Sequence, residues 1–387
     1  MNAQRCVALT LLLAVFTLVS VADAQIAVSA NDNKAVLVNG AVKVVSSPPP
    51  DTVAIIDLKA GSPRVVGEIQ APVSVVGPPV SVALTPDESL ALVTAAMKVD
   101  PADPTKQAPD NRLSVIDLKA SPPRVIATLE TGKAPSGISI NRQGTLALVS
   151  NRTDGTVSVF TIQGKTVAPA GTVEVGGPKA GGGHVAITPD GKTALVTRDA
   201  DHKISVLSIE GTKVEYTRRD MTAGVRPIAL DIAPSGAFAV VANIGQPTGD
   251  IDTVSLIDLK AQPPRVVDTI SVGGQSPEGI KISPDGSVIA AVVQNGSNRP
   301  KESPFYNDGG KLVLLRVTGS SLSRIAEARI GHWPQGAAFS PDGKTILVGN
   351  MVEKDYWVFQ WDGRTLHDTG QRVKMNGGAA AIRTAEK

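Results

Sequence analysis

Apolar residues alternate with other residues in short runs along almost the whole chain, and the runs come in pairs. Residues 279–293 show the unit. Gly279-Ile280-Lys281-Ile282 leads through Ser283-Pro284-Asp285-Gly286 into Ser287-Val288-Ile289-Ala290-Ala291-Val292-Val293. A period of two over such lengths predicts half-buried strands. Proline presets φ for the turn, Asp bonds nearby backbone, and Gly reaches φ > 0 without steric cost. The unit therefore reads as a β-hairpin. It recurs around Thr188-Pro189-Asp190-Gly191 and Ser340-Pro341-Asp342-Gly343. Weaker copies centre on Thr85-Pro86-Asp87-Glu88, Asn141-Arg142-Gln143-Gly144 and Ala233-Pro234-Ser235-Gly236, with a degraded one at Ala30-Asn31-Asp32-Asn33. That makes seven copies, about 45 to 57 residues apart, a period that means a propeller, solenoid or array.

A second hairpin follows the first in each repeat. Residues 113–129 read LSVIDLKASPPRVIATL, residues 254–270 read VSLIDLKAQPPRVVDTI, and residues 53–69 open the series. Each repeat is thus four strands, A to D, with no helical period between them. This predicts an all-β, seven-bladed β-propeller of four-stranded antiparallel blades. In the first unit, 35–39 reads as strand B. Asn39, Asn151, Asn243, Asn295 and Asn350 close strand B in five of the seven units, a turn-forming role that asks for no chemistry. The end of the chain also carries an A-like strand, because 372–382 aligns with 329–339. Either Gly378–Ile382 or Ile26–Ser29 then supplies strand A of the first blade. The first choice closes the ring and hides its edges.

Strand parity sorts the connections. If strand A starts at the top face, the Pro-Asp-Gly and Pro-Pro-Arg turns lie at the bottom. The long interruptions at 97–111, 244–253 and 294–310 then lie at the top, around the channel mouth.

The first 24 residues stand outside the repeats. Arg5, the apolar run from Val7 to Val21 and Ala22-Asp23-Ala24 have the order of a secretory signal peptide cleaved before Gln25. The expected organisation is 1–24 signal and 25–387 propeller, periplasmic or secreted from a bacterium, with no membrane span in the mature chain. The single cysteine, Cys6, leaves with the signal, so no disulfide or thiolate chemistry remains. Charge is nearly balanced, 38 basic against 36 acidic, and aromatic residues make up 3%. Neither fits a nucleic-acid partner, which calls for a basic surface or stacking platforms. The expected state is a monomer.

The Pro-Asp-Gly turns, the Ala-Leu-Val-Ser-Asn strand at 147–151 and the Val-Ser-Val-Phe strand at 157–160 resemble the YVTN family of β-propeller repeats. That resemblance covers nearly the whole mature chain. It implies an exported seven-bladed propeller and no common chemistry. The repeat pattern is also similar to that of the seven-bladed lactonases of the 6-phosphogluconolactonase type. These carry Pro-Arg-His just before strand A. Here Gly182-Gly183-His184 stands at that place, with the histidine and without the arginine.

Candidate chemistry comes from residues that break the repeat at the starts of strand A. His184 and Glu278 deviate from columns of small and apolar residues, and Gln335 and Ser136 share Glu278's column. Arg226 precedes Pro227, and His332 and Trp333 lie on the last crossover. His202, with Arg198, Asp199 and Asp201, lies on a B–C loop, and His367 on an outer strand. The histidines show no metal-binding spacing, no Cys-x-x-Cys-His is present, and no phosphate loop follows Gly181-Gly182-Gly183. No metal and no cofactor is expected. Three readings follow. The first is a scaffold that binds a protein partner or small ligand at the top funnel through His184, Glu278, Gln335, Trp333, His332, Ser136 and Arg226, with no chemistry of its own. The second is a lactonase-like hydrolase with His184, Glu278 and Arg226 in the same funnel. The third is a docking subunit of a periplasmic redox enzyme.

Overall fold

The computed structural model describes residues 25–59 and 62–386. The signal-peptide reading at 1–24 lies outside the described residues, as do Ala60 and Gly61 of one C–D turn. Seven four-stranded antiparallel sheets form the blades of a propeller, and one two-stranded hairpin stands apart from them. Blades 2 to 7 each use consecutive strands and span 82–130, 135–174, 182–221, 227–271, 277–329 and 334–374.

The first blade settles the open choice at the chain ends. Its strand A is Gly378–Thr384, and Ile26–Asp32 is strand B, followed by Thr52–Asp57 and Arg64–Gln70. Strand A pairs antiparallel with strand B from Ala27↔Thr384 to Asp32↔Gly378. The last strand therefore closes the ring. Two expectations fail as a result. Ala30–Asn33 is no A–B turn, because it ends strand B. Nor is 35–39 strand B: Ala35–Val38 pairs with Ala41–Val44 as a separate hairpin inside the B–C connection. Asn39 is the tip of that hairpin, with φ +46°. The hairpin presses on the blade 6 insertion so closely that a Cβ on Gly40 would lie 2.0 Å from the Pro300 nitrogen.

Burial differs from the half-buried strands that alternation predicts. Strand B of blade 3, Leu146–Asn151, is buried at every position, and so is Thr345–Asn350 of blade 7. Alternating exposure appears in outer strands such as Arg124–Glu130. The cause is the architecture: each blade is sandwiched between two others, so both faces of its inner strands meet apolar neighbours. One apolar cluster fills each blade junction. Leu90, Leu92, Leu113 and Val115 of blade 2 meet Ile138, Val149 and Phe160 of blade 3, and the junction of blades 7 and 1 gathers Leu347, Val358, Ala379 and Ile382.

The tight turns repeat one hydrogen-bonded device. Ser283 Oγ donates to Asp285 Oδ1 at 2.6 Å and accepts from Val288 N at 3.0 Å, while Ser287 N donates to Asp285 Oδ1. Thr188 with Asp190 and Ser340 with Asp342 do the same. Gly286 closes its turn at φ +76°. The B–C insertions all leave the opposite ends of the strands from these turns, as strand parity requires.

Candidate functional site

The channel carries polar groups at two levels. The upper level lies where strands A begin. Arg152 follows strand B of blade 3, Asp199 follows strand B of blade 4, Arg226 precedes strand A of blade 5, and Glu278 is the second residue of strand A of blade 6. Asp199 is buried and joins the two arginines. Arg152 Nη2 donates to Asp199 Oδ2 at 2.8 Å with Nη1 2.8 Å from Oδ1, and Arg226 Nη2 donates to Oδ2 at 3.2 Å. Arg226 sits at φ +55°, and its own N–H donates to His202 Nδ1 at 3.1 Å.

Glu278 faces this cation pair without forming an ion pair of 4 Å or less with either arginine. Gln294 Nε2 donates to Glu278 Oε2 at 3.3 Å. Burial pushes the Glu278 carboxyl up to about 7, against the pull of Arg226 and Arg152 and with the help of Asp199. A carboxyl that titrates near neutrality beside fixed cations can take a proton from one group and return it to another. This cluster is what the chain can offer for acid–base chemistry at the upper mouth.

The structure brings Glu278 and Arg226 together and disperses the other expected residues. His184 leaves the top funnel. A register shift between Gly182 and Val185 changes the parity of side chains along strand A. The His184 ring therefore turns into the lower channel, where Nδ1 donates to Leu230 O at 2.7 Å. Complete burial, then Arg383 and Lys281, hold it well below the usual imidazole range, so it is neutral. Trp333 is corrected from funnel wall to core, only 7% exposed and packed with Met351 and Ala380. Ser136 Oγ donates to the carbonyls of Gly182 and Gly183 at 3.0 and 2.8 Å, which ties blade 3 to blade 4. Gln335 is buried on strand A of blade 7, and its Oε1 has no hydrogen-bond partner among the described residues.

His332 stays at the top face but outside the cluster. Its ring bridges Glu353 Oε1 at 2.6 Å and Asp308 Oδ1 at 3.0 Å. His367 is exposed. Among the described residues no group of three or more His, Cys, Asp or Glu side chains could hold a metal ion, and no helix is long and apolar enough to cross a membrane. Sequence reasoning missed Arg152. It sits in Asn151-Arg152-Thr153, which matches a glycosylation pattern, and nothing local in the sequence points it at blade 4.

Comparison with known proteins agrees with the seven-bladed fold. Residues 178–301, about a third of the chain, match a family model described as a lactonase, seven-bladed β-propeller. No curated protein matches the chain. Among solved structures, a periplasmic gluconolactonase from Pseudomonas aeruginosa is similar at 17% identity, with 94% of this chain and 99% of that one covered and a TM-score of 0.65. A candidate 6-phosphogluconolactonase from Bacteroides fragilis has 17% identity, 95% and 99% coverage and a TM-score of 0.69. Hydrazine synthase from Kuenenia stuttgartiensis shares 20% identity over 74% of this chain and 78% of that one, with a TM-score of 0.57. At these identities the structural likeness speaks for the fold. The chain is a seven-bladed propeller that matches the lactonase model from its fourth blade into its sixth, the stretch that holds Asp199, Arg226 and Glu278.

Proposed function

We propose that this protein is a lactone hydrolase acting at the upper channel mouth. The observation that carries the reading is Glu278, a half-buried carboxyl whose desolvation raises it to about 7 opposite Arg226 and Arg152. In the ionised form Glu278 takes a proton from a water molecule. The water oxygen bonds to the lactone carbonyl carbon, and the arginines stabilise the oxyanion that forms. The ring C–O bond then breaks, and Glu278 returns its proton to the departing ring oxygen. The product is an open-chain hydroxy acid. Asp199 positions both guanidinium groups and keeps them from taking Glu278 as an ion-pair partner. The lactonase match over 178–301 supports the reaction class. The leader sequence at 1–24 and the periplasmic neighbour support an exported location.

A binding-only scaffold is the second reading, and one observation favours it: glycine stands at 183, where the lactonase motif has arginine. The YVTN-like repeats bear on the fold and do not choose between the two. A panel of sugar and aliphatic γ- and δ-lactones, incubated with the parent protein and with Glu278→Gln and Arg226→Met, separates them. Hydrolase action requires turnover in the parent, a fall of at least about 100-fold in Glu278→Gln, and little change in His184→Ala. Thermal shifts with lactones or hydroxy acids in the absence of any turnover select the scaffold.

A further inference from the structure

The lower level of the channel is built differently and stands independently of the upper site. A cavity of about 50 Å³ lies there, lined by His184, Asp231, Arg383, Thr384 and Glu386 among others. Arg383 is about 93% buried, with a side-chain exposure of 7%, and is contributed by the ring-closing strand. Its Nη1 lies 3.5 Å from Asp231 Oδ1, and its Nη2 has no hydrogen-bond partner among the described residues. Lys281 Nζ bonds Glu386 Oε1 at 2.6 Å and lies 3.1 Å from Asp231 Oδ2. Asp231 Oδ2 also accepts from Ile282 N at 2.7 Å. Arg142 Nη2 is spent on the carbonyl of Pro234. His184 adds no charge, since its imidazole is neutral and its Nδ1 proton is given to Leu230 O.

Three cations therefore face two carboxylates, and the buried Arg383 Nη2 has no acceptor among the described residues. A buried charged donor without an acceptor is costly, and an anion at that point removes the cost and balances the charge. The volume is several times the roughly 10–15 Å³ that one enclosed water needs on the same measure, so a small ion fits. We propose that the lower channel is a binding site for one small monovalent anion, of chloride-to-formate size, held by Arg383 Nη2 with Lys281 beside it. A second cavity of about 220 Å³, lined by Pro234, Lys281, Pro284, Pro341 and Glu386, continues to the lower turns. Ions arrive by that route, past the Lys281–Glu386 pair.

Melting temperatures of the parent, Arg383→Gln and Lys281→Met proteins in chloride, formate and gluconate at equal ionic strength test the site. Chloride, formate or both raise the parent's melting temperature by about 2 °C or more over gluconate, and Arg383→Gln removes the difference. Whichever anion acts names the ligand. Equal melting in all three salts overturns the proposal, as does an anion effect that persists in Arg383→Gln. Should that variant fail to fold, loss of the effect in Lys281→Met supports the site and its persistence counts against it. Crystals of the parent grown in bromide give a variant-free arm. An anomalous peak within about 3.5 Å of Arg383 Nη2 is expected, and a water molecule in its place overturns the site.

Discussion

Glu278 is the residue whose behaviour is easiest to measure. Its folded-state carboxyl is raised to about 7 from an ordinary 4.5. Between those values the folded protein holds a proton that the unfolded chain has lost, so stability falls as pH rises through that window and levels off above it. Glu278→Gln removes that contribution. Urea unfolding at intervals from pH 4.5 to 8 is expected to show a shallower decline for Glu278→Gln than for the parent, and parallel curves would mean the carboxyl is ordinary. A second residue-scale prediction concerns Tyr356. Its hydroxyl bonds Ser29 Oγ at 2.8 Å and the carbonyl of Ala381 at 3.1 Å, and burial holds the phenol well above its usual range. Tyr356→Phe leaves both partners inside the 7–1 junction and costs about 1–2 kcal/mol in chemical denaturation. At this scale Glu278 stands out in the sequence as a charged residue in a column of small and apolar ones, and Arg226 as the residue before Pro227 in the same region. The sequence could not announce Arg152. The approach of Arg152 to Asp199 joins blades 3 and 4 and depends on ring curvature that no local pattern encodes. His184 stood out equally, but the irregular register at Gly182–Val185 undid the parity argument that placed it on top.

The hairpin is the element in which sequence and structure correspond most closely. The Ser/Thr-Pro-Asp-Gly turns were legible because each position has one physical job, and Ser283, Asp285 and Gly286 perform those jobs in the fold. At φ +76° an added Cβ meets nothing closer than Pro234 Cδ at 3.7 Å, so substitution at Gly286 tests backbone strain apart from crowding. Gly286→Val is expected to cost about 1–2 kcal/mol in thermal or urea unfolding. An unchanged midpoint would show that the turn relaxes to another conformation. Of the Asn residues read as closing strand B, Asn39 and Asn295 take the positive φ of a turn, +46° and +55°, whereas Asn151 and Asn243 act through side-chain bonds. Asn151 Nδ2 donates to Thr156 Oγ1 and Ser158 Oγ, and Asn243 Nδ2 to Thr253 Oγ1 and Ser255 Oγ. These side chains pin the start of strand C instead of adopting positive φ.

At the scale of the whole molecule, seven blades, the four-stranded unit and the position of the long insertions all followed from repeat spacing and strand parity. The first blade was the exception. Its strands come from both ends of the chain, so no continuous stretch carries its full pattern, and the hairpin at 35–44 imitated a missing strand. The closing strand makes a direct prediction. Removing residues 378–387 leaves Ile26–Asp32 with an open edge and strips Ala379 and Ile382 from the 7–1 junction. The shortened protein is expected to lose a single cooperative melting transition and to self-associate, as followed by calorimetry and light scattering. A monomer with one sharp transition would show that the remaining blades hold the ring without their clasp.

That clasp also sets a clock. Ile26–Asp32 is made about 350 residues before its inner partner, Gly378–Thr384. Until then the first blade cannot be completed, and contacts of such separation form slowly. The other blades have all their strands nearby and can assemble in turn, waiting on this final stitch. Arg383 travels on that same strand, so the lower channel acquires its buried cation only at the moment the circle is completed. A chain cut short by even this one segment exposes a sticky edge and lacks that cation.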